Sequence, residues 1–351
     1  MKTLYPAIAL VAAAWLATPA VAQTTPTLAP RDVPARSIPV PTTVSPQIQQ
    51  LIAGPLRPGW NTPPTTPEGW KQLAETTRTT ALPNVNAMRD RLKVTVEAGV
   101  IDGVRVYTVT PATIVAGNEN RLLVQLHGGC YVLNPAEAAL PEAMLIAAIG
   151  GYKVIAVDYR MPPEAYFPAA LDDAMTVYKA AIKMQAPGRV GLIGTSAGGA
   201  LVLEMGLRAK MENLPMIGAI AAGTPMSDST KTGDTFQTNA MVDNVLVSTD
   251  GFCDAAAAFY ANGHPLADPL ISPVYGDMSG FPPTILTSGT RDLLLSNTVR
   301  VHRKLRNPGI DSFLQVYEGQ SHAYYGRDDR IPETQEAFKE IALFFNTRLA
   351  K

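Results

Sequence analysis

Two textures divide the chain near Arg91. Beyond it, short apolar runs alternate with amphipathic ones. Leu92–Val96 and Val104–Val109 alternate apolar and polar residues, the period of a half-buried strand. Leu122–Leu126 is mostly apolar, as in a strand covered on both faces. Val154–Val157, Val190–Ile193, Ile217–Ala221, Thr284–Thr287 and Phe313–Tyr317 read as further strands. Ala169–Met184, Gly198–Lys210, Ser296–Arg306 and Glu333–Leu349 carry helical patterns. This alternation predicts βαβ units and an α/β fold with a mainly parallel, doubly wound central sheet. Residues 224–281 interrupt the rhythm and are too long for a simple connection. They are expected to form an inserted cap segment, leaving 91–223 and 282–351 as one α/β domain.

Before Arg91 the pattern is weaker. Lys2, the apolar stretch Ala7–Leu16, Pro19 and the small-x-small site Ala20-Val21-Ala22 read as a signal peptide over residues 1–22. An uncleaved anchor is the competing reading, but the stretch is short for a bilayer. The segment from Gln23 to about Pro67 is rich in Pro and Thr, which excludes continuous helix or a central strand. A short helix is expected around Ser45–Ile52. The segment is either a linker or a partly ordered arm over the site. Pro67–Arg89 looks partly helical, with Trp70, Leu73 and Met88 as candidate buried anchors, so 23–90 is assigned to the arm and the N-terminal part of a cap.

Composition narrows the function. With 351 residues and 46% hydrophobic positions, the chain has a large core at its disposal. A formal charge of −1, well mixed, makes no case for nucleic acid or an anionic membrane surface. Beyond the signal, no segment approaches a membrane span in length, and export to the periplasm or the medium is expected. The two cysteines, Cys130 and Cys253, lack metal-binding spacing; export permits them to pair, and their spacing does not decide whether they do. No metal or other cofactor is expected.

The chemistry gathers in two loops after strands. Gly194-Thr195-Ser196-Ala197-Gly198 fits G-x-S-x-G between an apolar run and a helical one, the setting in which a sharp turn lifts a serine Oγ above a sheet. His127-Gly128-Gly129-Cys130-Tyr131 follows an early strand, as the loop supplying an oxyanion hole does. Its backbone N–H groups, with that of Ala197, would face a developing oxyanion.

A serine needs an adjacent base, and the base a carboxylate to orient it. Of the four histidines, His127 lies in the Gly-rich loop, His264 in the insertion and His302 in a helical run. His322 follows the last strand, where the order serine, acid, histidine requires it. Asp292 follows the strand Thr284–Thr287, at the sheet edge where such residues gather. Asp268, Asp277 and Glu318 are rival acids, Glu318 the foremost. Candidate pocket residues are Tyr131, Met226, Phe259, Tyr260 and Tyr324.

Taken together, these motifs resemble the hormone-sensitive-lipase-like (bacterial family IV) esterases of the α/β-hydrolase superfamily. The resemblance runs from about Arg91 to the end. It rests on His127–Tyr131, on Asp158-Tyr159-Arg160-Met161-Pro162-Pro163-Glu164 with Phe167-Pro168-Ala169-Ala170, on Gly194–Gly199, and on Asp292 followed by His322. It implies an α/β-hydrolase fold with a helical cap and a carboxylesterase acting on short to medium acyl esters. It also implies Ser196 as nucleophile, His322 as base and acid, Asp292 as orienting acid, and N–H donors at Gly129, Cys130 and Ala197, with Gly128 shaping the loop. The Asp158–Glu164 stretch is then structural support. Three positions depart from the pattern: Cys130 where glycine is usual, Thr195 where many members carry Asp, and Leu-Leu-Leu-Ser after Asp292. Lactone hydrolysis with the same residues and a ligand-binding protein on a hydrolase scaffold are the alternatives; the partner expected is a small-molecule ester or lactone.

Overall fold

A computed structural model describes residues 29–351. The expected signal peptide lies outside the described residues. Residues 29–38 belong to a separate unit and carry no helix or strand. Pro39–Lys351 form one compact unit.

That unit opens with two helices, α1 (Pro46–Ala53) and α2 (Pro67–Leu92). Ser45 and Thr66 cap them, accepting from Ile48 N and Gly69 N, and each is followed by a proline at the first helical position, where the missing N–H costs nothing. A Pro- and Thr-rich stretch therefore starts helices that it cannot continue. Strands β1 (Thr95–Ile101), β2 (Val104–Thr110) and β3 (Leu122–Leu126) follow, then α3 (Pro141–Gly150), β4 (Lys153–Val157), α4 (Ala169–Met184), β5 (Val190–Thr195), α5 (Ala197–Met211) and β6 (Ala219–Gly223). The insertion holds α6 (Thr235–Thr238) and α7 (Phe252–Ala261). The chain ends with β7 (Thr284–Gly289), α8 (Leu295–Arg306), β8 (Ser312–Tyr317) and α9 (Pro332–Arg348).

The eight strands form one sheet in the order β1-β2-β4-β3-β5-β6-β7-β8. From β4 to β8 all neighbours are parallel, while β2 pairs antiparallel with both β1 and β4. Alternate residues of each strand feed two cores. Val124, Leu192, Ile220 and Leu286 pack against α4, α5 and α8; Leu123, Ile193, Ala221 and Ile285 pack against α2, α3 and α9. A third cluster joins Trp70 of α2, Phe252 of α7 and the loop residues Cys130, Val132 and Leu133. Trp70 and Met88 are buried, and Leu73 packs at the margin of this cluster. Among the described residues no helix is long and apolar enough to cross a membrane.

The strand expected over Ile217–Ala221 lies two residues later, at Ala219–Gly223, and two further differences from expectation have a plain cause. The strand expected over Leu92–Val96 starts at Thr95, because α2 runs on to Leu92 and stops at Lys93, which takes the left-handed conformation with φ 54°. Helix α3 has no counterpart in the sequence reading. It is buried over most of its surface, so it lacks the polar stripe that reveals a helix.

Candidate active site

Five loops leave the carboxyl ends of neighbouring strands and meet there, the edge at which open α/β sheets hold their sites. Between β5 and α5 stands Ser196, in a rare backbone conformation (φ 64°, ψ −122°). The turn is possible because its flanks lack side chains. A Cβ at Gly198 would overlap Leu126 O, and one at Gly199 would come 2.7 Å from Gly223 O.

His322 follows β8 and Asp292 follows β7; both are buried. His322 Nε2 lies 2.9 Å from Ser196 Oγ, and Nδ1 lies 3.1 Å from Asp292 Oδ1. Asp292 is itself held. Its Oδ2 accepts from Thr224 Oγ1 and from Ser288 Oγ at 3.0 Å, and its Oδ1 from Leu294 N at 2.8 Å. Burial alone would lower the His322 pKa, but the charge and hydrogen bond of Asp292, helped by the charge of Asp243, hold it above the ordinary value.

The loop after β3 lies against this turn. A Cβ on Gly128 would stand 2.7 Å from Thr195 O and 3.1 Å from Ser196 Cβ, so only glycine fits. Gly129 (φ 123°), Cys130 (φ 52°) and Tyr131 (φ 64°) all have positive φ. The N–H groups of Gly128, Gly129, Cys130 and Ala197 donate to no protein acceptor among the described residues. Cys130 takes its left-handed conformation while bonded through a disulfide to Cys253 of α7, with Cα atoms 5.5 Å apart. Behind the loop, Tyr159 stacks on His127 at 4.0 Å and donates to His127 O at 2.7 Å, while Asp158 accepts from Ala136 N at 2.9 Å.

The other sequence candidates lie apart. His264 packs edge-on to Phe167, and His302 Nδ1 pairs with Ser312 Oγ. Asp268 caps a turn at Leu270 N, Asp277 is ion-paired with Lys210, and Glu318 is exposed. A cleft of ≈ 400 Å³, open space included, has one apolar side, with Met226, Phe236, Leu246 and Leu293, and one polar side, with Asp228, Lys231, Thr249 and Asp254. Of the five pocket candidates only Met226 lines it, next to Ser196, whose carbonyl accepts from Met226 N at 3.0 Å. The remaining four serve packing instead. Tyr131 and Tyr260 stack on each other at 4.2 Å in the core, Phe259 stacks on Trp70, and Tyr324 donates to Leu51 O.

Sequence reasoning missed Thr224, Asp243 and Glu142. Thr224 begins the loop after β6, at the strand edge that holds the other groups, which is the one signal that pointed to it. Glu142 accepts from Thr195 Oγ1 at 2.6 Å and from Gln125 Nε2 at 3.0 Å, directly beneath the turn.

The chain is similar to known proteins in sequence and in fold. A family model described as the α/β-hydrolase fold matches residues 123–326. The crystal structure of an esterase superposes with a TM-score of 0.88 at 40% identity, covering 91% of this chain and 99% of that one. The crystal structure of an esterase from the bacterial hormone-sensitive lipase family superposes with a TM-score of 0.75 at 25% identity, covering 87% and 99%. An acetyl-hydrolase of Streptomyces hygroscopicus is 27% identical over 233 residues, 66% of this chain and 77% of that protein. On these likenesses and the matched model, the chain belongs to the α/β-hydrolase fold family and is an esterase of its hormone-sensitive-lipase-like branch.

Proposed function

We propose that the protein hydrolyses small carboxylic esters through an acyl-enzyme on Ser196, with His322 as base and acid and Asp292 as its orienting carboxylate. The observation that carries this reading is the unbroken line from Ser196 Oγ through the His322 imidazole to Asp292, at 2.9 and 3.1 Å. Ser196 attacks the ester carbonyl as its proton passes to His322 Nε2. The imidazolium that forms is stabilised by Asp292 through Nδ1–H. The N–H groups of Gly129, Cys130 and Ala197 receive the oxyanion, with Gly128 setting the loop close enough to do so. His322 then returns the proton to the leaving alcohol, and water repeats the sequence on the acyl-enzyme.

Short acyl groups are the substrates we favour, since a relative at 27% identity bears the name acetyl-hydrolase and the cleft that Met226 lines is small. We read 224–281, with the N-terminal helices, as the cap over this cleft. Export through the N-terminal signal is also part of this reading, supported by the Cys130–Cys253 disulfide, a bond that oxidising compartments favour.

Turnover of a p-nitrophenyl ester ladder, acetate upward, tests the assignment. The wild type should turn over the short esters, and Ser196→Ala should lose about 10³-fold or more in kcat. Near wild-type turnover by Ser196→Ala would sink the reading.

A further inference from the structure

The insertion carries a buried carboxylate that the proposed mechanism does not use. Asp243 lies between α6 and α7 and is fully enclosed. Its Oδ1 accepts from Val245 N at 2.8 Å and Leu246 N at 3.2 Å, which fixes its own loop. Its Oδ2 accepts from Leu293 N at 2.8 Å, the residue after Asp292. Both oxygens stand 3.4 Å from His322 N. One carboxylate thus spans the backbones of the two loops that deliver the proposed acid and the proposed base. The adjacent residue extends the brace, since Asn244 N donates to Ser321 Oγ at 3.2 Å.

Resting on the triad reading above, we propose that Asp243 is a positioning residue of the esterase reaction: it ties the Asp292 loop to the His322 loop and sets a second negative charge behind the imidazole. A buried carboxylate is costly to hold unless hydrogen bonds or a partner charge compensate it, and a purely structural brace could be built from neutral groups. The titratable groups facing Asp243 are Asp292, His322 and Tyr324. Burial, then the like charge of Asp292, push its carboxyl up to about 6, against the pull of His322. At neutral pH it is therefore mostly ionised, and its charge favours the imidazolium that forms when His322 takes the serine proton.

The test is the pH profile of kcat/KM on a short p-nitrophenyl ester for wild type, Asp243→Asn and Asp243→Glu. For Asp243→Asn the expectation is a kcat lower by about tenfold with KM nearly unchanged, and an acid limb moved to lower pH, because His322 loses an anion that raises it. Asp243→Glu keeps the charge on a longer arm; its kcat should fall while its limb stays at the wild-type pH. An Asn variant with wild-type kcat overturns the proposal, and so does a lowered kcat with an unmoved limb, the mark of a merely structural role. If the Asn variant fails to fold by circular dichroism, the smaller neutral variant Asp243→Ser decides in its place: reduced kcat with the limb moved to lower pH supports, and wild-type kcat or an unmoved limb overturns. Ser196→Ala run in parallel separates the two readings. Full turnover there removes the triad itself, whereas an inert Ser196→Ala beside an unaltered Asp243→Asn removes only the role of Asp243.

Discussion

Cys130, in the loop that lies against Ser196, is covalently joined to Cys253, a residue of α7 that lines the cleft. The two are 123 positions apart, so the bond closes a large loop of the unfolded chain. A disulfide of that span is expected to stabilise by roughly 2–4 kcal/mol. It also holds a cysteine at φ 52°, where glycine would sit without penalty. Cys253→Ser, or reduction with a phosphine, should therefore lower the thermal midpoint and raise KM, since both the loop and one wall of the cleft are released. Combining Cys253→Ser with Cys130→Gly should restore part of the lost turnover. Unchanged melting and kinetics after complete reduction would show that the bond matters to neither.

Thr224 donates to Asp292 Oδ2, and its Oγ1 lies 3.3 Å from His322 Nδ1. It is wholly buried, so its loss cannot be made good by bulk water. Thr224→Val keeps the shape and removes the donor, leaving a carboxylate oxygen short of a partner at a cost of about 1–3 kcal/mol. The expected result is a roughly tenfold lower kcat with little change in KM, while Thr224→Ser stays near wild type. Steady-state kinetics on one short ester measure both; equal kcat in Val and wild type would remove Thr224 from the site.

The helix α1 bears on the site from outside the sheet. Ile48 is fully buried in a small cluster with Ile52, Tyr324 and Ile331, and Tyr324 lies two residues beyond His322. Ile48→Ala should cost about 2–5 kcal/mol, the range for truncating a buried aliphatic side chain. Because the cavity opens beside the His322 loop, kcat should fall together with the thermal midpoint. A variant that melts early but keeps wild-type kcat would show that the loop is held without α1.

The parts that were legible are those where one local pattern decides. Helix α4 was read at its true bounds because its apolar stripe is clear and its ends are marked, and the two motif loops were placed because glycine-rich turns after apolar runs have few other uses. Asp243 and, apart from its place after a strand, Thr224 were hidden for the opposite reason. They reach the Asp292 and His322 loops across 50 to 98 positions of chain, and nothing in a single sequence pairs a buried polar residue with a distant one. The aromatic residues misled in the same way: Tyr131 and Tyr260 look like pocket walls from composition, but their stacking in the core is a three-dimensional fact.

Glu142 offers a test at the level of stability. Its carboxylate is turned inward beneath the Ser196 turn, toward Thr195 and Gln125, although the residue as a whole is only half-buried. Burial raises it from the ordinary 4.5 to about 7, against those hydrogen bonds. The folded protein therefore keeps a proton that the unfolded chain gives up above its ordinary pKa. Protons are bound more tightly in the folded state, so stability must fall as pH rises from about 4.5 to about 7 and then level off. For a half-buried group the change is about 1–3 kcal/mol. Glu142→Gln cannot ionise, and the amide of Gln125, whose Oε1 has no partner among the described residues, can turn to meet it. Denaturant unfolding of both proteins at pH 5 and pH 8 should show the variant gaining on the wild type by that amount at the higher pH. A difference between the two that is the same at both pH values would mean that Glu142 is already ionised in the folded protein, and that the turn beneath Ser196 rests on a buried charge.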